Sequence, residues 1–491
     1  MNNKENTTPT YSSIINKFRP LFMPQSIAVV GASATGEGRG NTLIRRIQKF
    51  GYLGKIFPIH PSAGMIDGLQ AYPNFSAVPD DIDYAYIAIP GKQIIPLLAG
   101  AAGRVRYAQV ISSGFGEIEG GHDLQDQLVM AARQGGARLI GPNCLGLYTP
   151  RGGVTFTEGS SKEIGGTGVV SQSGGLGIDI IRRGLNRGLR FSGLVTVGNC
   201  ADIASSDLLE FYLSDEVTKV VGMYIETAQD GRRLFDILRN ARARKPVVIM
   251  KGGRSRQGKK AAASHTGSLA GDERAWIALA KQTGCALVNT LEQFIDVLLA
   301  FQTLRARPTQ PIQRVVLFGN GGGTSVLATD YFADLDLDVE PFEQGVITAL
   351  AGLGLPPGAS FVNPVDCPMG ALQKKEGRVA EEILDVIYRS GKPDALVMHV
   401  NLAGFAGNSD SSVLDNLINA ALRTGERYPG KVHFMLVLRS DGDANVEERK
   451  REFREKALKA GVPVYDEMSN AGHALAALKT YEWFMHKRGF N

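Results

Sequence analysis

The sequence predicts an α/β protein with three successive domains, each built around a parallel sheet. The chain has 491 residues, a length that corresponds to about three domains of ordinary size. Short apolar, β-branched runs alternate with amphipathic stretches of helical length, which is the pattern of parallel α/β folds. The alternation occurs in three successive series, and each series begins with a predicted strand that is followed by glycines.

The first domain is predicted over residues 21–150, after a polar amino-terminal arm over residues 1–20 that we expect to be flexible. Its apolar, β-branched runs predict five strands, at residues 27–30, 55–59, 84–89, 108–111 and 138–140. Helical segments such as residues 41–50 separate them, as parallel strands require a crossover between them.

A passage rich in Thr, Gly and Ser, residues 149–168, leads into a second domain predicted over residues 151–307. Its strands are predicted at residues 168–171, 193–197, 219–225, 246–250 and 286–288. The segment ARPTQPIQ, residues 306–313, leads into the third domain, predicted over residues 308–491. There the strands are predicted at residues 315–318, 337–340, 395–400, 433–438 and 463–465, with a charged helix at 447–459.

Composition and charge exclude several classes of protein. The 59 glycines exceed the usual share of about 7%, but they have no Gly-X-Y period and only 22 prolines accompany them, which excludes a collagen. The net charge of +5 comes without a long basic block, so no nucleic-acid partner is expected. The four cysteines have no CxxC spacing, which favours reduced thiols in a cytoplasmic protein and no metal site.

Membrane insertion is also not expected. The amino terminus lacks the apolar core of a signal peptide. No uncharged apolar run approaches the roughly 20 residues that span a bilayer. We therefore predict a protein without a membrane segment.

Each domain opens with a glycine-rich turn between a strand and a helix. The three turns are IAVVGAS (27–33), GVVSQSGGLG (168–177) and VVLFGNGGGTS (315–325). Free N–H groups and a helix N-terminus favour anions at such a turn. For any single turn, tight packing of the strand against the helix is an equal alternative.

The first turn differs from nucleotide-binding motifs. Its glycine spacing misses GxGxxG, and Glu37 stands where a P-loop requires Lys. NAD requires an acid at the end of the second strand, yet no carboxylate follows that strand before Asp67. Coenzyme A, whose ribose is phosphorylated, fits better. The loops IAIPG, ISSGFGE and IGPNCLG follow strands of the same domain and add small and polar residues at the same crevice.

His265 is the histidine with the strongest functional context. It stands in a small-residue segment, predicted as a loop over residues 251–271, where packing does not require imidazole. An imidazole there can carry a phosphoryl group if a carboxylate orients the ring and N–H donors hold the phosphate. Glu226, at the end of a strand, and SQSGG (171–175) are candidates for these roles. A solvated strand-end acid is the alternative for Glu226, and Cys144 is expected to be a small buried residue.

Five strings together resemble one family. SHTGSLAG (264–271), SQSGG (171–175), VGNCADI (197–203), GPNCLG (141–146) and NPVD (363–366) are similar to motifs of the α subunits of NDP-forming acyl-CoA synthetases. These include the ADP-forming acetate:CoA ligases and, more distantly, the succinyl-CoA ligases. The resemblance extends over about residues 20–485. It implies a Rossmann-like CoA-binding domain followed by two flavodoxin-like, succinyl-CoA-ligase-like parallel-sheet domains.

The resemblance also implies an activity and a set of site residues. The family interconverts a carboxylic acid, CoA and ATP with acyl-CoA, ADP and phosphate, through an acyl phosphate and a phosphohistidine. By the match, His265 is the phosphorylated residue and Glu226 steadies it, while Asn143 lies near the thioester. The remaining residues implied are Ser171, Gln172, Ser173, Gly174 and Gly175 for phosphate, and Gly31, Ala32, Ser33, Pro61, Ile89 and Pro90 for CoA.

Two departures from the family pattern bear on the substrates. Ser62 and Ala63 follow Pro61, where the family often has a Lys for a CoA phosphate. Ile178 stands where succinate enzymes carry a Tyr early in the phosphate helix, so a monocarboxylic acid is expected.

Three predicted domains account for these 491 residues, so we do not expect them to include the ATP-grasp module that the family reaction requires. We therefore expect a separate β subunit that binds ATP or ADP with Mg²⁺, in a hetero-oligomer that we expect to be a heterotetramer. The alternative is a CoA-binding regulatory or scaffolding protein without phosphoryl transfer.

Overall fold

The computed structural model describes residues 11–266, 272–405, 412–428 and 430–489, and the chain divides into two compact units. Unit 1 comprises Met1–Leu185 with Leu189–Asn289, and unit 2 comprises Asn186–Gly188 with Thr290–Asn491. Among the described residues, unit 1 holds two mainly parallel sheets and a two-stranded antiparallel one, and unit 2 holds one parallel sheet. The prediction of an α/β protein built on parallel sheets is confirmed.

The first sheet of unit 1 has the strand order β2-β1-β5-β6-β7, and all of its strands are parallel. Its strands are β1 (Ser26–Val30), β2 (Lys55–Ile59), β5 (Ile82–Ile87), β6 (Val105–Val110) and β7 (Arg138–Ile140), with a small hairpin of β3 (Met65–Ile66) and β4 (Leu69–Gln70). The helices are α1 (Tyr11–Phe22), α2 (Arg39–Phe50), α3 (Gly91–Ala99) and α4 (His122–Gln134). The order reverses between β1 and β5, and such a switch point is where doubly wound sheets bind ligands.

The second sheet of unit 1 has five parallel strands in the order β13-β12-β11-β9-β10, which is the order of the first sheet read from the opposite edge. A short antiparallel strand, β8, pairs with β10 and extends this sheet. Its strands are β8 (Leu147–Tyr148), β9 (Thr167–Ser171), β10 (Phe191–Thr196), β11 (Val220–Ile225), β12 (Val247–Lys251) and β13 (Ala286–Val288). The helices are α5 (Gly174–Arg187), α6 (Ser205–Ser214), α7 (Gly231–Ala241), α8 (Arg256–Thr266) and α9 (Glu273–Thr283).

Unit 2 contains the third sheet, which has the parallel order β15-β14-β16-β17-β18. Its strands are β14 (Val315–Gly319), β15 (Val365–Asp366), β16 (Ala395–Asn401), β17 (His433–Arg439) and β18 (Val464–Tyr465). Its helices are α10 (Leu291–Thr303), α11 (Gly322–Asp334), α12 (Gln344–Ala351), α13 (Met369–Leu372), α14 (Val379–Val386), α15 (Ser412–Arg427), α16 (Ala444–Lys459) and α17 (Met468–Arg488).

One predicted strand, residues 337–340, is not formed. The segment makes a single bridge, between Arg314 and Asp338. The reason is that the side chain of Asn363 occupies the edge of β14, accepting from the Leu317 N–H at 3.1 Å and donating to the Val315 carbonyl at 3.0 Å. The short strand β15 then takes the neighbouring position beside Phe318.

Residues 11–20, predicted as part of a flexible arm, belong to helix α1, Tyr11–Phe22. Phe18 and Phe22 are buried, and the ring of Phe22 stacks on Phe211 of α6 with 4.0 Å between centroids. The burial of two aromatic side chains offsets the conformational entropy that this helix loses. Among the described helices, none is both long enough and apolar enough to cross a membrane.

Candidate functional site

A cavity of about 320 Å³ lies in unit 1, where residues that follow strands of its two sheets meet. It brings together Asn143, from the loop after β7, and Gln172 to Gly175, from the turn after β9, which are residues predicted from the sequence for CoA and for phosphate. Its lining consists of Arg39, Ile111, Ser113, Asn143, Cys144, Leu145, Gln172, Ser173, Gly174, Gly175, Gly198 and Asn199. Gly31, Ala32, Ser33, Pro61, Ile89 and Pro90 are not part of that lining.

The turn after β1 has a backbone that only glycine fits. Gly31 has φ = 96°, and a Cβ there would lie 2.4 Å from the carbonyl oxygen of Ala88, which follows β5. The next two residues continue this close packing: Ala32 is buried, and the N–H of Ser33 donates to Asn41 Oδ1 at 2.7 Å. This turn is therefore held at the switch point of the first sheet.

The other predicted CoA residues lie after neighbouring strands of the same sheet. Pro61 follows β2 and is exposed, and Pro90 follows β5 and is exposed at the start of α3. The carbonyl of Ile89 accepts a hydrogen bond from Ser112 Oγ at 2.6 Å. Because β2, β1 and β5 are adjacent and parallel, these residues share one edge of the sheet with Gly31.

Asn143 lies where the loop after β7 meets the loop after β10. Its φ is 59°, and its N–H donates to the Ser112 carbonyl at 3.0 Å. A Cβ on Gly198 would lie 2.3 Å from the Asn143 carbonyl oxygen, so glycine allows the two loops to touch.

Asn199 ties the loop after β10 to the loop after β6 and to α4 through its side chain. Its amide donates to Glu117 Oε2 at 2.5 Å and to Gln125 Oε1 at 2.9 Å. Glu117 also accepts from the N–H of Gly114 at 2.5 Å. Burial alone would raise the pKa of Glu117, but the hydrogen bonds from Asn199, Gly114 and Phe115 outweigh it and hold that pKa below the usual 4.5.

The turn after β9 presents a helix N-terminus to the cavity. Ser171 Oγ donates to the Ser173 carbonyl at 2.7 Å, and Ser173 Oγ accepts from the Leu176 N–H at 3.3 Å. A Cβ on Gly174 would lie 2.7 Å from Leu145 Cγ, so packing requires that glycine. A Cβ on Gly175 would meet nothing within 4 Å, so packing does not require this second glycine.

Gln172 connects the ends of β9 and β11 instead of leaving its amide open to the cavity. Its Oε1 accepts from the N–H groups of Glu226 at 2.5 Å and Thr227 at 3.0 Å. Its Nε2 donates to the Thr227 carbonyl at 2.7 Å. These three bonds fix Glu226 beside the turn after β9.

Glu226 is buried, with 6% of its surface exposed, which argues against the alternative of a solvated strand-end acid. The hydroxyl of Tyr224 donates to its Oε1 at 3.0 Å. The ammonium of Lys251, at the end of β12, donates to the Glu226 carbonyl at 2.7 Å. Burial lowers the pKa of Lys251 to about 8, although the charge of Glu226 opposes that shift.

His265 belongs to the last turn of α8, and its side chain lies outside the described residues. The segment predicted as a loop over residues 251–271 is therefore helical from Arg256 to Thr266. The run of three alanines after Lys260 explains this, because alanine is the strongest helix former.

Arg39, Asn199, Tyr224 and Lys251 were given no role from the sequence, although Asn199 stands in the string VGNCADI. Arg39 offered a weak signal, because it is a cation between two glycines at the start of a helix. Tyr224 and Lys251 occur within apolar strand patterns. Tyr224 lies two positions before Glu226, so strand alternation places both on one face, whereas only the alignment of β11 with β12 brings Lys251 to Glu226. Cys144 is buried and its pKa is raised to about 12 by burial, consistent with a residue that does not act as a nucleophile.

Comparison with known proteins agrees with this geometry. Residues 25–150 match the model of a CoA binding domain, and residues 164–301 match that of a succinyl-CoA ligase like flavodoxin domain. The α subunits of ADP-forming acetate–CoA ligases I and II of Pyrococcus furiosus are 34% and 31% identical, over 94% and 93% of this chain and 97% and 96% of theirs. The dinucleotide forming acetyl-coenzyme A synthetase 1 of Ca. Korarchaeum cryptofilum, solved with phosphate and ADP, is 28% identical with a TM-score of 0.81, over 96% of this chain and 99% of that one. The chain therefore belongs to the family of ADP-forming acetate–CoA ligase α subunits, as the motifs predicted.

Proposed function

We propose that this chain is the catalytic α subunit of an ADP-forming acid–CoA ligase. It interconverts a small carboxylic acid, CoA and ATP with acyl-CoA, ADP and phosphate. The observation that carries the proposal is the cavity in which Asn143 and the turn from Ser173 to Gly175 meet. A thioester and a phosphate must react within one such space.

CoA is the ligand of the first sheet in this proposal. Gly31, Ala32 and Ser33 contact it at the switch point, Pro61, Ile89 and Pro90 line its path, and Asn143 lies near the thioester. The match to a CoA binding domain over residues 25–150 supports this assignment. In the loop after Pro61, the family often has a Lys that this chain lacks. The loop forms without it, because His60 Nδ1 accepts hydrogen bonds from the N–H groups of Ser62 at 3.2 Å and Ala63 at 3.0 Å.

The chemistry has two steps on this chain. Phosphate attacks the thioester carbonyl, the C–S bond breaks, and CoA leaves as the thiolate while an acyl phosphate forms. A ring nitrogen of His265 then attacks phosphorus, the P–O bond to the acyl group breaks, and the carboxylate leaves with the electron pair. Ser171, Gln172, Ser173, Gly174 and Gly175 form the phosphate turn, where the N–H groups of α5 stabilise the phosphoryl charge. Glu226 orients the imidazole.

In this proposal the nucleotide binds to a partner subunit and not to this chain. An ATP-grasp β subunit holds ADP or ATP with Mg²⁺ and exchanges the phosphoryl group with His265, and the assembly is a heterotetramer. The printed names of two relatives, which call them α subunits, support a partner. All four cysteines are free and buried, in keeping with a cytoplasmic setting.

The acid is a small monocarboxylic acid. The cavity of about 320 Å³ must hold the acyl group and phosphate together, and Ile111, Cys144 and Leu145 are its apolar walls apart from glycine. Ile178 in α5 replaces the tyrosine of succinate enzymes.

The phosphoryl step can be tested without a partner subunit. The pure chain is mixed with acetyl-CoA and ³²P-labelled phosphate, and we expect a phosphoprotein that survives alkali and is lost in acid. His265→Ala should remove the label while a CoA-induced rise in thermal stability persists. If the wild-type chain binds CoA but takes up no label, the regulatory or scaffolding alternative is correct.

Continuous turnover provides a second test. We expect ATP-dependent thioester formation only when an ATP-grasp subunit is added. Sustained ATP-dependent thioester synthesis by this chain alone would contradict the proposal that the nucleotide binds to a separate subunit.

A further inference from the structure

We propose that Tyr224 is a positioning residue that holds the carboxylate of Glu226 in the orientation needed for phosphoryl transfer. The inference rests on the proposed function, in which Glu226 orients His265. Tyr224 touches neither CoA nor phosphate in that proposal, so it acts through Glu226 alone.

The backbone of Glu226 is fixed from both sides. Its N–H donates to Gln172 Oε1 at 2.5 Å, and its carbonyl accepts from Lys251 Nζ at 2.7 Å. Gln172 belongs to the strand end on one side of β11, and Lys251 ends the strand on the other side. The main chain at Glu226 therefore has little freedom, and the direction of the carboxylate depends on side-chain contacts.

The hydroxyl of Tyr224 provides such a contact. It donates to Glu226 Oε1 at 3.0 Å, and the two residues lie two positions apart along the chain, on one face of the sheet. Burial, and then the charge of Glu226, raise the pKa of the Tyr224 hydroxyl, so it keeps its proton and remains a donor. A hydrogen bond to a charged acceptor contributes more than one between neutral groups.

Because Gly252 has no side chain, there is space beside it for the side chains of Tyr224 and Glu226. A Cβ at residue 252 would lie 2.8 Å from the Tyr224 hydroxyl oxygen and 3.3 Å from Glu226 Cγ. Gly252 does not have a positive φ, so its backbone does not require glycine. The glycine is explained by the room that Tyr224 and Glu226 need.

The experiment measures the rate at which acetyl-CoA and ³²P-labelled phosphate label the chain in four proteins: wild type, Tyr224→Phe, Gly252→Ala and the double variant. Tyr224→Phe should slow labelling by roughly tenfold to a hundredfold, with CoA affinity unchanged. Gly252→Ala should slow it because its methyl group displaces the tyrosine hydroxyl. The double variant should be no slower than the slower single variant, since most of the clash disappears with the hydroxyl.

Tyr148→Phe is the matched control. It also removes a hydroxyl that donates one hydrogen bond, to the Ser161 carbonyl at 2.7 Å, outside the lining of the cavity. Its labelling rate should equal that of the wild type. If Tyr224→Phe does not fold, Gly252→Ala tests the same contact from the other side.

Two outcomes separate this inference from the proposed function. If the wild type is labelled and Tyr224→Phe is labelled at the same rate, the role of Tyr224 is overturned and the proposed function is not. The same holds if the effects of Tyr224→Phe and Gly252→Ala on the labelling rate multiply in the double variant. A wild-type chain that takes up no label overturns the proposed function, and the role of Tyr224 with it.

Discussion

At the scale of single residues, the glycines of this chain have two different physical explanations. Gly31 and Gly174 are required by packing, because a Cβ would lie 2.4 Å from Ala88 O and 2.7 Å from Leu145 Cγ, respectively. At Gly175 a Cβ would enter open space. A glycine that packing does not require, next to a helix N-terminus in a cavity, is explained best by the close approach of a ligand.

The substitution Gly175→Ala should therefore separate folding from phosphate binding. We expect an unchanged or slightly higher free energy of unfolding, since alanine is favoured over glycine in helices by about 0.5–1 kcal/mol. The KM for phosphate should rise at least about tenfold, because the added methyl group displaces the phosphoryl group from the turn. Steady-state kinetics with an ATP-grasp subunit and denaturant unfolding measure the two quantities.

Gly345→Ala is the matched control for that experiment. Gly345 is also the second residue of a helix, α12, and a Cβ there would also meet nothing within 4 Å. Its KM for phosphate should be that of the wild type. An equal rise in both variants would contradict a phosphate role for Gly175.

Glu117 gives a pH dependence whose direction follows from its pKa. The pKa of Glu117 in the folded chain lies below 4.5, so its bonds to Asn199 and to Gly114 stabilise the fold above that pH and are lost as the pH falls through the folded pKa. Wild type should unfold at a higher temperature than Glu117→Gln at pH 7. The difference should shrink below about pH 4.5. A difference that stays constant down to pH 3 would contradict this role of the Glu117 charge.

At the scale of elements, strands with two buried faces were predictable and elements that depend on partners were not. The runs around Val29, Val221 and Leu317 are apolar throughout, as buried parallel strands require, and all three form strands. Strand β8 has only two residues and exists because β10 offers it an edge. Residues 337–340 carry a strand pattern but lose their partner to the side chain of Asn363.

The residues of the candidate site divide in the same way into those that the sequence predicts and those that depend on neighbouring elements. His265, Glu226 and the SQSGG turn were nominated from their residue types and from motif resemblance, which need no coordinates. Arg39, Asn199 and Lys251 join the site only through the packing of neighbouring strands and loops, which a sequence does not contain. Tyr224 was missed although its spacing of two from Glu226 places both residues on one face of a strand. Helix α8 formed where a loop was predicted, because local alanine propensity outweighed the surrounding glycines.

Helix α1 gives a prediction at the same scale. Phe22→Ala removes a ring that is 1% exposed and stacks on Phe211, so the free energy of unfolding should fall by about 3–5 kcal/mol. Leu53→Ala, at a side chain that is 99% exposed, should change it by less than about 0.5 kcal/mol. Denaturant titration of both variants checks this, and equal midpoints for Phe22→Ala and wild type would show that α1 does not stabilise the fold.

At the scale of the whole molecule, the two compact units each have their own hydrophobic core. We expect two calorimetric transitions. CoA at 100 times its Kd should raise only the transition of unit 1, by about 2.7 kcal/mol of stability.

A variant in unit 2 identifies the other transition. Glu482 is buried and accepts the N–H groups of Arg307 at 2.6 Å and Ile312 at 3.0 Å. Glu482→Ala should lower the transition that CoA leaves unchanged. A single transition that both CoA and Glu482→Ala move would contradict two separate cores.

In the proposed function, this chain carries a phosphoryl group on His265 during acid–CoA ligation. The most direct measurement is mass spectrometry of the chain after reaction with acetyl-CoA and phosphate, with digestion kept alkaline. We expect a gain of one phosphoryl group in the peptide that contains His265, and no gain in His265→Ala. A chain that binds CoA without gaining a phosphoryl group, or that gains it at another residue, would contradict the account.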